Sequence, residues 1–320
     1  MLKRLLNQAQ LAIRIEPLDP LLVKSGQATV GGTDMTFVRT YQRGEPEPFL
    51  PGSSLKGVLR AYCEKICRSL RHDPVPVCLP YVDPENASSE EQNQTSCGLS
   101  MTKWEKKSKG YVSSMDAYNL SCPACRMFGS LKFTGRCAVS DASAVEKCLT
   151  EKRDGVAIDR ITGGVAPGAK YDLEVLTNGA FEAHIEVRNF ERWQLGLLGL
   201  ALQDMTQGLV RVGMGKSRGL GRIKAQISSF ALSYFQHSPS ALAGMYEQCS
   251  SQERDQYGLF PEQHIAGTKL PEPSRAGLRY TYDITQDWED ILSPGVEDAV
   301  AYVQGVDWPQ ALNQFVHRGS

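Results

Sequence analysis

Residues 213–222 combine four glycines with three basic side chains. The segment reads Gly213-Met214-Gly215-Lys216-Ser217-Arg218-Gly219-Leu220-Gly221-Arg222. Because glycine has no Cβ, its backbone N–H can approach a ligand closely, and a cationic loop of this kind suits a phosphate chain. A P-loop would need glycine at Val210, and a dinucleotide fingerprint would need it at Arg218. The segment therefore predicts a loop that holds an anionic backbone, with an ordinary surface turn as the alternative.

A second candidate site is a set of cysteines within residues 72–130. Cys122 and Cys125 form a Cys-x-x-Cys knuckle, and Cys78 and Cys97 lie in the same region. Four thiolates arranged as a tetrahedron make a closed structural zinc site, whereas a redox role would need a thioredoxin-like βαβ context that the sequence lacks. We predict structural Zn²⁺ on these four cysteines. His72 in place of Cys78, or free buried thiols, are the alternatives.

A third candidate site is the start of a predicted helix over residues 53–71. The segment reads Pro51-Gly52-Ser53-Ser54-Leu55-Lys56-Gly57-Val58-Leu59-Arg60. Its apolar residues recur at three- and four-residue steps, and Ser53 or Ser54 is expected to cap the helix. The first N–H groups of a helix attract anions, and Lys56 and Arg60 project from the first turns. This segment also favours an anionic ligand.

The two glycine-containing motifs together resemble the RAMP superfamily of CRISPR-associated proteins over residues 10–228. The motifs are Pro-Gly-Ser-Ser-Leu-Lys-Gly-x-x-Arg and Gly-x-Gly-x-Ser-Arg-Gly-x-Gly, and the likeness is greatest to the backbone subunits of type III effector complexes (Csm/Cmr type). The resemblance implies that both motifs contact the backbone of a guide RNA. The residues concerned are Ser53, Ser54, Lys56, Arg60, Gly213, Gly215, Lys216, Ser217, Arg218, Gly219, Gly221 and Arg222.

The same resemblance assigns a role to Asp34, which follows Gly31-Gly32-Thr33. In the resembling subunits an aspartate in this loop is required for cutting target RNA. Asp34 would act as general base on a ribose 2′-hydroxyl or hold a divalent cation, Mg²⁺ or Mn²⁺, near the scissile phosphate. A loop aspartate that makes a turn contact is the alternative.

The resemblance also covers the glycine-containing segment 159–171. It implies a β-hairpin thumb over about 151–178 that interrupts the guide–target duplex, with Arg160 facing phosphate. An ordinary hairpin is the alternative.

The remaining elements indicate the fold class. Leu11, Ile13 and Ile15 alternate with polar residues, as do residues 180–187, and a helix is predicted over 190–208. The order of elements predicts an α+β protein with a ferredoxin-like (RRM-like) palm, a zinc-stapled finger region and a β-hairpin thumb. The palm would comprise 1–71 and 131–228, with the zinc-binding insertion at 72–130 and an acidic extension at 229–320. The open face of the sheet would carry the nucleic acid.

Composition and charge limit the functional classes. The 320 residues carry a net charge of −1, but residues 231–320 contain 5 Lys and Arg against 12 Asp and Glu, so the preceding part is net positive by 6. That asymmetry allows polyanion binding by the first part. Nine cysteines without a signal peptide predict a reducing, cytoplasmic compartment. No apolar run is long enough for a membrane helix, so no membrane partner is expected.

These observations lead to one predicted function and three alternatives. The resemblance implies a backbone subunit that binds guide RNA, contacts neighbouring effector subunits and cuts the target single-stranded RNA paired with the guide at a fixed position. A non-catalytic version of the same subunit is the first alternative. A guide-processing endonuclease would need a histidine base, and His184 on a predicted strand looks structural. A free-standing zinc hydrolase would need an open coordination position.

Overall fold

The structure is a computed structural model that describes residues 4–26, 33–42, 44–88, 91–262 and 268–317. Gly31 and Gly32 of the segment that precedes Asp34 lie outside these ranges. Within them the strands are β1 (Asn7–Pro17), β2 (Arg39–Gln42), β3 (Glu45–Leu50), β4 (Gly129–Ser130), β5 (Phe133–Thr134), β6 (Cys137–Val139), β7 (Ala142–Ala144), β8 (Leu149–Ile158), β9 (Val165–Asn178), β10 (Phe181–Arg188), β11 (Ile223–Phe235), β12 (Ser274–Ala276) and β13 (Arg279–Asp283).

The α-helices lie between groups of these strands and at the end of the described chain. They are α1 (Gly52–Leu70), α2 (Cys97–Ser108), α3 (Ser114–Asn119), α4 (Pro123–Phe128), α5 (Arg192–Thr206), α6 (Met245–Gln248), α7 (Ser251–Tyr257), α8 (Trp288–Gly305) and α9 (Trp308–His317). The chain is therefore a mixed α+β protein, as the sequence predicted. None of the described helices combines the length and the apolar character that a membrane span requires.

Nine strands form one sheet in which neighbouring strands are antiparallel. Its order is β12-β13-β11-β1-β10-β7-β3-β2, and β6 also pairs with β10. Strand β1 lies between β10 and β11. Its side chains Leu11, Ile13 and Ile15 are buried, because alternate residues of a strand point to the same face. The predicted alternation thus sets which face of the central strand enters the core.

Helices α1, α5 and α8 pack together against the core. The buried side chains of α1 include Leu55, Leu59, Cys63 and Cys67, which follow the predicted three- and four-residue spacing. Helices α5 and α8 approach each other closely at Gly196, where an added Cβ would lie 1.9 Å from the backbone of Gly295. Their contact is therefore between backbones, which only glycine permits at this distance.

The start of α1 differs from the prediction that a serine caps it. The helix begins at Gly52, its N-cap residue is Pro51, and no side chain of the cap residue makes a capping hydrogen bond. Instead, Asp141 Oδ1 accepts the N–H of Gly52 at 2.7 Å. A Cβ at position 52 would lie 2.5 Å from the carbonyl oxygen of Val139. Glycine lets the helix start against this backbone, which places both serines inside the helix.

The described part of residues 72–130 contains three α-helices and a short 3₁₀ helix (Gln92–Gln94), although the sequence there looks irregular. Ser96 and Ser113 cap α2 and α3 through their side chains. Buried Met101, Tyr118 and Met127 belong to the same hydrophobic cluster as the central sheet. The region therefore shares the main core as well as holding the cysteines.

Residues 229–320 extend the sheet and cover α5. Strand β11 runs on to Phe235 and pairs with β13, which pairs with β12 at the edge of the sheet. Trp288 and Trp308 are buried, and Arg192 of α5 donates to Asp298 of α8 at 2.6 Å. The buried tryptophans and this ion pair thus make the region a packed element.

Candidate RNA interface and metal centre

Four segments of the chain meet at one place, which we call the junction. It comprises residues 20–23, residues 34–37, the part of β9 over 171–176, and the glycine loop over 213–222. Backbone hydrogen bonds join them: Leu21 N–H to Leu176 O at 2.8 Å, Met35 N–H to Asp172 O at 3.1 Å, and Met214 N–H to Leu22 O at 2.8 Å. The hairpin β8–β9, the Asp34 segment and the glycine loop are therefore fixed relative to one another.

A small apolar cluster stabilises the junction from inside. Leu22, Leu173, Val175 and Leu220 are buried against one another, separately from the main core. Nearby, the Glu174 carboxylate accepts the N–H of Phe37 at 3.0 Å and a guanidinium N–H of Arg39 at 2.9 Å. The hydrogen bond from Arg39 lowers the pKa of Glu174 to about 2. Glu174 is thus a charged anchor for the segment that carries Asp34.

Asp34 is exposed at the surface of the junction. Its Oδ2 accepts the backbone N–H of Asp172 at 3.0 Å. Lys152 Nζ lies 2.7 Å from Asp172 Oδ2, and this hydrogen bond raises the pKa of Lys152, with the charges of Asp154 and Asp34 adding to the effect. One oxygen of Asp34 is therefore positioned by the hairpin, close to a persistent cation, while its Oδ1 has no protein donor among the described residues.

The glycine loop needs its glycines for backbone conformation. Gly213, Gly215, Gly219 and Gly221 all have positive φ, between 72° and 96°, a region that residues with a Cβ rarely adopt. A Cβ at Gly213 would also lie 2.3 Å from Leu22 O, whereas one at Gly219 would meet no atom within 4 Å. The loop is therefore a defined structure whose exposed turn, 216–219, leaves room at its surface.

The three cations of the loop have different surroundings. Lys216 is exposed and has no carboxylate within 4 Å among the described residues. Arg218 donates to the hydroxyl of Tyr171 at 2.6 Å, so it links the loop to the hairpin. Arg222 binds Asp19 through two nitrogens, at 2.9 Å and 3.1 Å. Ser217 lies exposed between the first two.

The hairpin β8–β9 forms a two-stranded sheet of its own. At its tip, Asp159 accepts the N–H of Ile161 at 2.8 Å, and Ile161 is 96 % exposed. Arg160 is also exposed. An apolar side chain and a cation thus project together from the end of the hairpin.

The residues predicted at the start of α1 lie in a different neighbourhood. Ser53 and Ser54 are exposed, and the first helical N–H is already bound by Asp141. Lys56 and Arg60 line a cleft of about 480 Å³ whose other lining residues include Cys125, 128–131 and 133–135. Arg60 turns inward from this cleft and donates to Cys125 Sγ at 3.3 Å. The structure therefore brings Lys56 and Arg60 to the cysteine region, whereas the glycine loop joins the hairpin.

The four predicted cysteines lie together. Cys78, Cys97, Cys122 and Cys125 are buried, and their sulfur atoms all fall within 4.8 Å of one another. The Sγ atoms of Cys78 and Cys125 are 3.5 Å apart, and those of Cys122 and Cys78 are 3.7 Å apart. Zinc–sulfur bonds of about 2.3 Å in a tetrahedron give sulfur–sulfur distances of about 3.8 Å. The cluster could therefore bind a metal ion such as zinc.

His72 does not belong to this cluster. It is exposed, and the group of potential metal ligands found among the described residues consists of the four cysteines. The alternative in which His72 replaces Cys78 is therefore wrong for this geometry.

Protonation of the cluster is uneven. Burial raises the pKa of the Cys97 thiol well above its usual value. Burial acts on Cys122 in the same direction, but hydrogen bonds from Cys125, Cys78 and Cys97 to its thiolate outweigh burial and lower that pKa. A divalent cation would bind this thiolate and displace the protons of the other thiols.

The open face of the central strands is polar. On β1 and β10 it carries Gln10, Arg14, Glu182, His184 and Glu186, and neither strand presents Phe, Tyr or Trp there. Aromatic rings are what sheet-based RNA domains use to stack bases. The open face of these two strands therefore lacks the stacking rings that the expectation of RNA binding there requires.

Sequence comparison identifies the family. The family model of the RAMP superfamily matches residues 14–224. The chain belongs to the RAMP superfamily. No curated protein matches it significantly. The matched range of this RAMP protein contains the junction, the start of α1 and all four clustered cysteines, so family membership is consistent with a CRISPR-associated RNA-binding subunit.

Proposed function

We propose that this RAMP protein is a guide-RNA-binding backbone subunit of a type III CRISPR effector and that it cuts the paired target RNA at a fixed position. The observation that carries the proposal is the junction, where Asp34, the hairpin and the glycine loop are held together. RNA backbone would cross the glycine loop at Lys216 and Arg218, while Ile161 and Arg160 at the hairpin tip meet the guide–target duplex. Neighbouring subunits would share the same guide.

The topology supports the rest of the proposed architecture. Strands β11, β1, β10 and β6 are neighbours in this order, and this order supports a ferredoxin-like palm in which α1 and α5 connect the strands. We assign the palm to residues 1–71 and 131–228, with the thumb over about 151–178. Residues 72–130 are the metal-binding insertion, and residues 229–320 are the acidic extension. A cytoplasmic ribonucleoprotein complex is the setting that this assignment implies.

Two chemical roles are open to Asp34. As a general base, its free oxygen would take the proton of a ribose 2′-hydroxyl, whose oxygen attacks the phosphorus while the 5′-oxygen leaves. As a ligand, the carboxylate would hold Mg²⁺ or Mn²⁺ at the scissile phosphate. If Asp34 is the general base, a 2′-deoxy nucleotide at the cut should stop cleavage. If Asp34 is a metal ligand, chelation of divalent cations should stop cleavage.

The four cysteines would hold a structural Zn²⁺. Their number and spacing fit a closed tetrahedral site, and the ion would join the loop at Cys78, the start of α2 at Cys97 and the knuckle at Cys122 and Cys125. The zinc is thus proposed to stabilise the insertion and to take no part in cutting RNA.

The proposed activity is tested with Asp34→Ala in the assembled effector. We expect one cleavage position to disappear from a denaturing gel, while affinity for target RNA stays within about threefold, because the carboxylate acts on the reacting bond only. Asp154→Asn, on the same hairpin, is the matched control and should leave the cut intact. Equal cutting by wild type and Asp34→Ala would exclude Asp34 and favour the non-catalytic subunit.

A further inference from the structure

Arg60 uses all three of its guanidinium nitrogens within the protein. Nη2 donates to Cys125 Sγ at 3.3 Å, Nη1 donates to Gly129 O at 3.0 Å, and Nε donates to Glu64 Oε1 at 2.9 Å. The side chain is 21 % exposed. These bonds use three of the five guanidinium N–H donors and direct the side chain towards the cysteines, although the sequence places Arg60 among the RNA-binding residues.

The charge of the metal centre explains why a cation lies there. Four thiolates around Zn²⁺ carry a net charge of −2, and a buried charge is costly unless it is paired and hydrogen-bonded. An N–H donor to a ligating sulfur offsets part of that charge and fixes the direction of the sulfur lone pairs. Arg60 is the arginine for which a contact with one of the four sulfur atoms is seen among the described residues.

Arg60 also spans two parts of the fold. Its backbone belongs to α1, four residues after Lys56. Cys125 lies within α4, and Gly129 directly follows the end of that helix. Glu64 is buried beside it and also approaches Arg68 at 3.9 Å. The guanidinium therefore joins the helix that carries Lys56 to the cysteine knuckle on the other wall of the cleft.

We infer that Arg60 is a positioning residue of the metal centre, in which it orients Cys125 and couples metal binding to the placement of α1. This inference rests on the proposed metal site and is independent of RNA cleavage by Asp34. It also reassigns Arg60 from phosphate binding, and leaves Lys56 as the cation of the cleft that faces RNA. Partners of this kind typically account for about 10–100-fold of metal affinity.

The test compares Arg60→Gln with Lys65→Gln in the full chain loaded with zinc. Lys65 is exposed on the same helix, so its variant removes the same charge without touching the cluster. We expect Arg60→Gln to release zinc to a chromophoric chelator roughly 10–100-fold faster than wild type, and Lys65→Gln to match wild type. In the cobalt-substituted protein, Arg60→Gln should also shift the thiolate-to-metal charge-transfer band.

Two further measurements separate this inference from its competitors. Arg60→Lys keeps the charge but has fewer N–H donors, so it should release zinc at an intermediate rate. This variant tests the role of Arg60 in the metal centre if Arg60→Gln does not fold. Lys56→Gln should reduce the slope of log affinity for guide RNA against log salt concentration by roughly 0.7. Arg60→Gln should leave this slope unchanged. Wild-type zinc release by both Arg60 variants, an equal loss of salt dependence in Arg60→Gln, or a wild-type chain that takes up no zinc would overturn the inference.

Discussion

Lys216 and Arg222 provide a test of the RNA path because they carry the same charge in the same loop but have different partners. Arg222 is bound by both oxygens of Asp19, and this interaction lowers the pKa of Asp19. Lys216 has no carboxylate partner among the described residues and lies in the exposed turn. We therefore expect Lys216 to contact an RNA phosphate and Arg222 to remain with Asp19.

The size of the effect follows from counterion release. Each phosphate contact on single-stranded RNA contributes roughly 0.7 to the slope of log affinity against log salt concentration. Lys216→Gln should reduce that slope by roughly 0.7, which corresponds to about a fivefold loss of affinity at 0.1 M salt. Arg222→Gln should leave the slope close to that of wild type, because no phosphate contact is lost.

The assay is binding of labelled guide RNA measured by fluorescence anisotropy over a range of KCl concentrations. Two guide sequences should give the same change, because phosphate contacts carry no sequence information. Equal slopes for Lys216→Gln and wild type would refute the assignment of the glycine loop to RNA. Equal losses of slope in Lys216→Gln and Arg222→Gln would mean that RNA affinity depends on the total positive charge of the loop and not on a contact made by Lys216.

Two other predictions concern the backbone and the protonation of the fold. Gly219→Ala adds only the strain of a left-handed residue, about 1–2 kcal/mol, because its φ is +76° and its surroundings are open. Gly213→Ala adds a clash with Leu22 O, so thermal unfolding should show a larger loss of Tm than for Gly219→Ala, and equal losses would contradict the loop geometry. Burial raises the pKa of Glu262 from 4.5 to about 8. The folded state therefore holds a proton that the unfolded state releases, and stability falls as pH rises from about 4.5 to about 8. Glu262→Gln should show a flatter pH dependence of Tm, and an unchanged profile would exclude Glu262 as its source.

The sequence predicted the elements that have a long hydrophobic period. Helix α1 was expected over 53–71 and is found at Gly52–Leu70, and α5 was expected over 190–208 and is found at Arg192–Thr206. Both helices bury a stripe of apolar residues over several turns, and that stripe carries the signal. Strand β11 is longer than the pattern Ile223, Ala225, Ile227 indicates, because its second half pairs with β13.

The short helices of the insertion could not be predicted in this way. Helices α3 and α4 contain six residues each, which is less than two full turns and too short to show a period. The signals that existed were local: Ser96 and Ser113 at the N-caps, and Pro123 in the first turn of α4. These capping residues and Pro123 are the local signals from which the starts of these helices could have been predicted.

The sequence also predicted some features of the candidate sites and not others. Cysteine spacing led to the four clustered residues because a Cys-x-x-Cys knuckle with two further cysteines in the same region is typical of a closed zinc site. The partners of the cations could not be foreseen, since Asp19 lies 203 residues from Arg222 and Cys125 lies 65 residues from Arg60. The contact between Asp34 and the backbone of Asp172 is equally remote, and only the pairing of the hairpin with the Asp34 segment creates it.

The net charge of −1 is compatible with RNA binding because affinity depends on where unpaired cations lie. Lys56, Arg160 and Lys216 have no carboxylate within 4 Å among the described residues, whereas Arg60 and Arg222 are held by Glu64 and Asp19. A single chain that contacts RNA through these three cations alone would bind it weakly. In the proposed assembly several subunits hold one guide, so each added subunit binds at a high effective concentration and the weak contacts combine into tight binding. The acidic extension can then lie beside a neighbour without opposing the RNA, because the cations that we propose to contact phosphate are in the junction and the cleft.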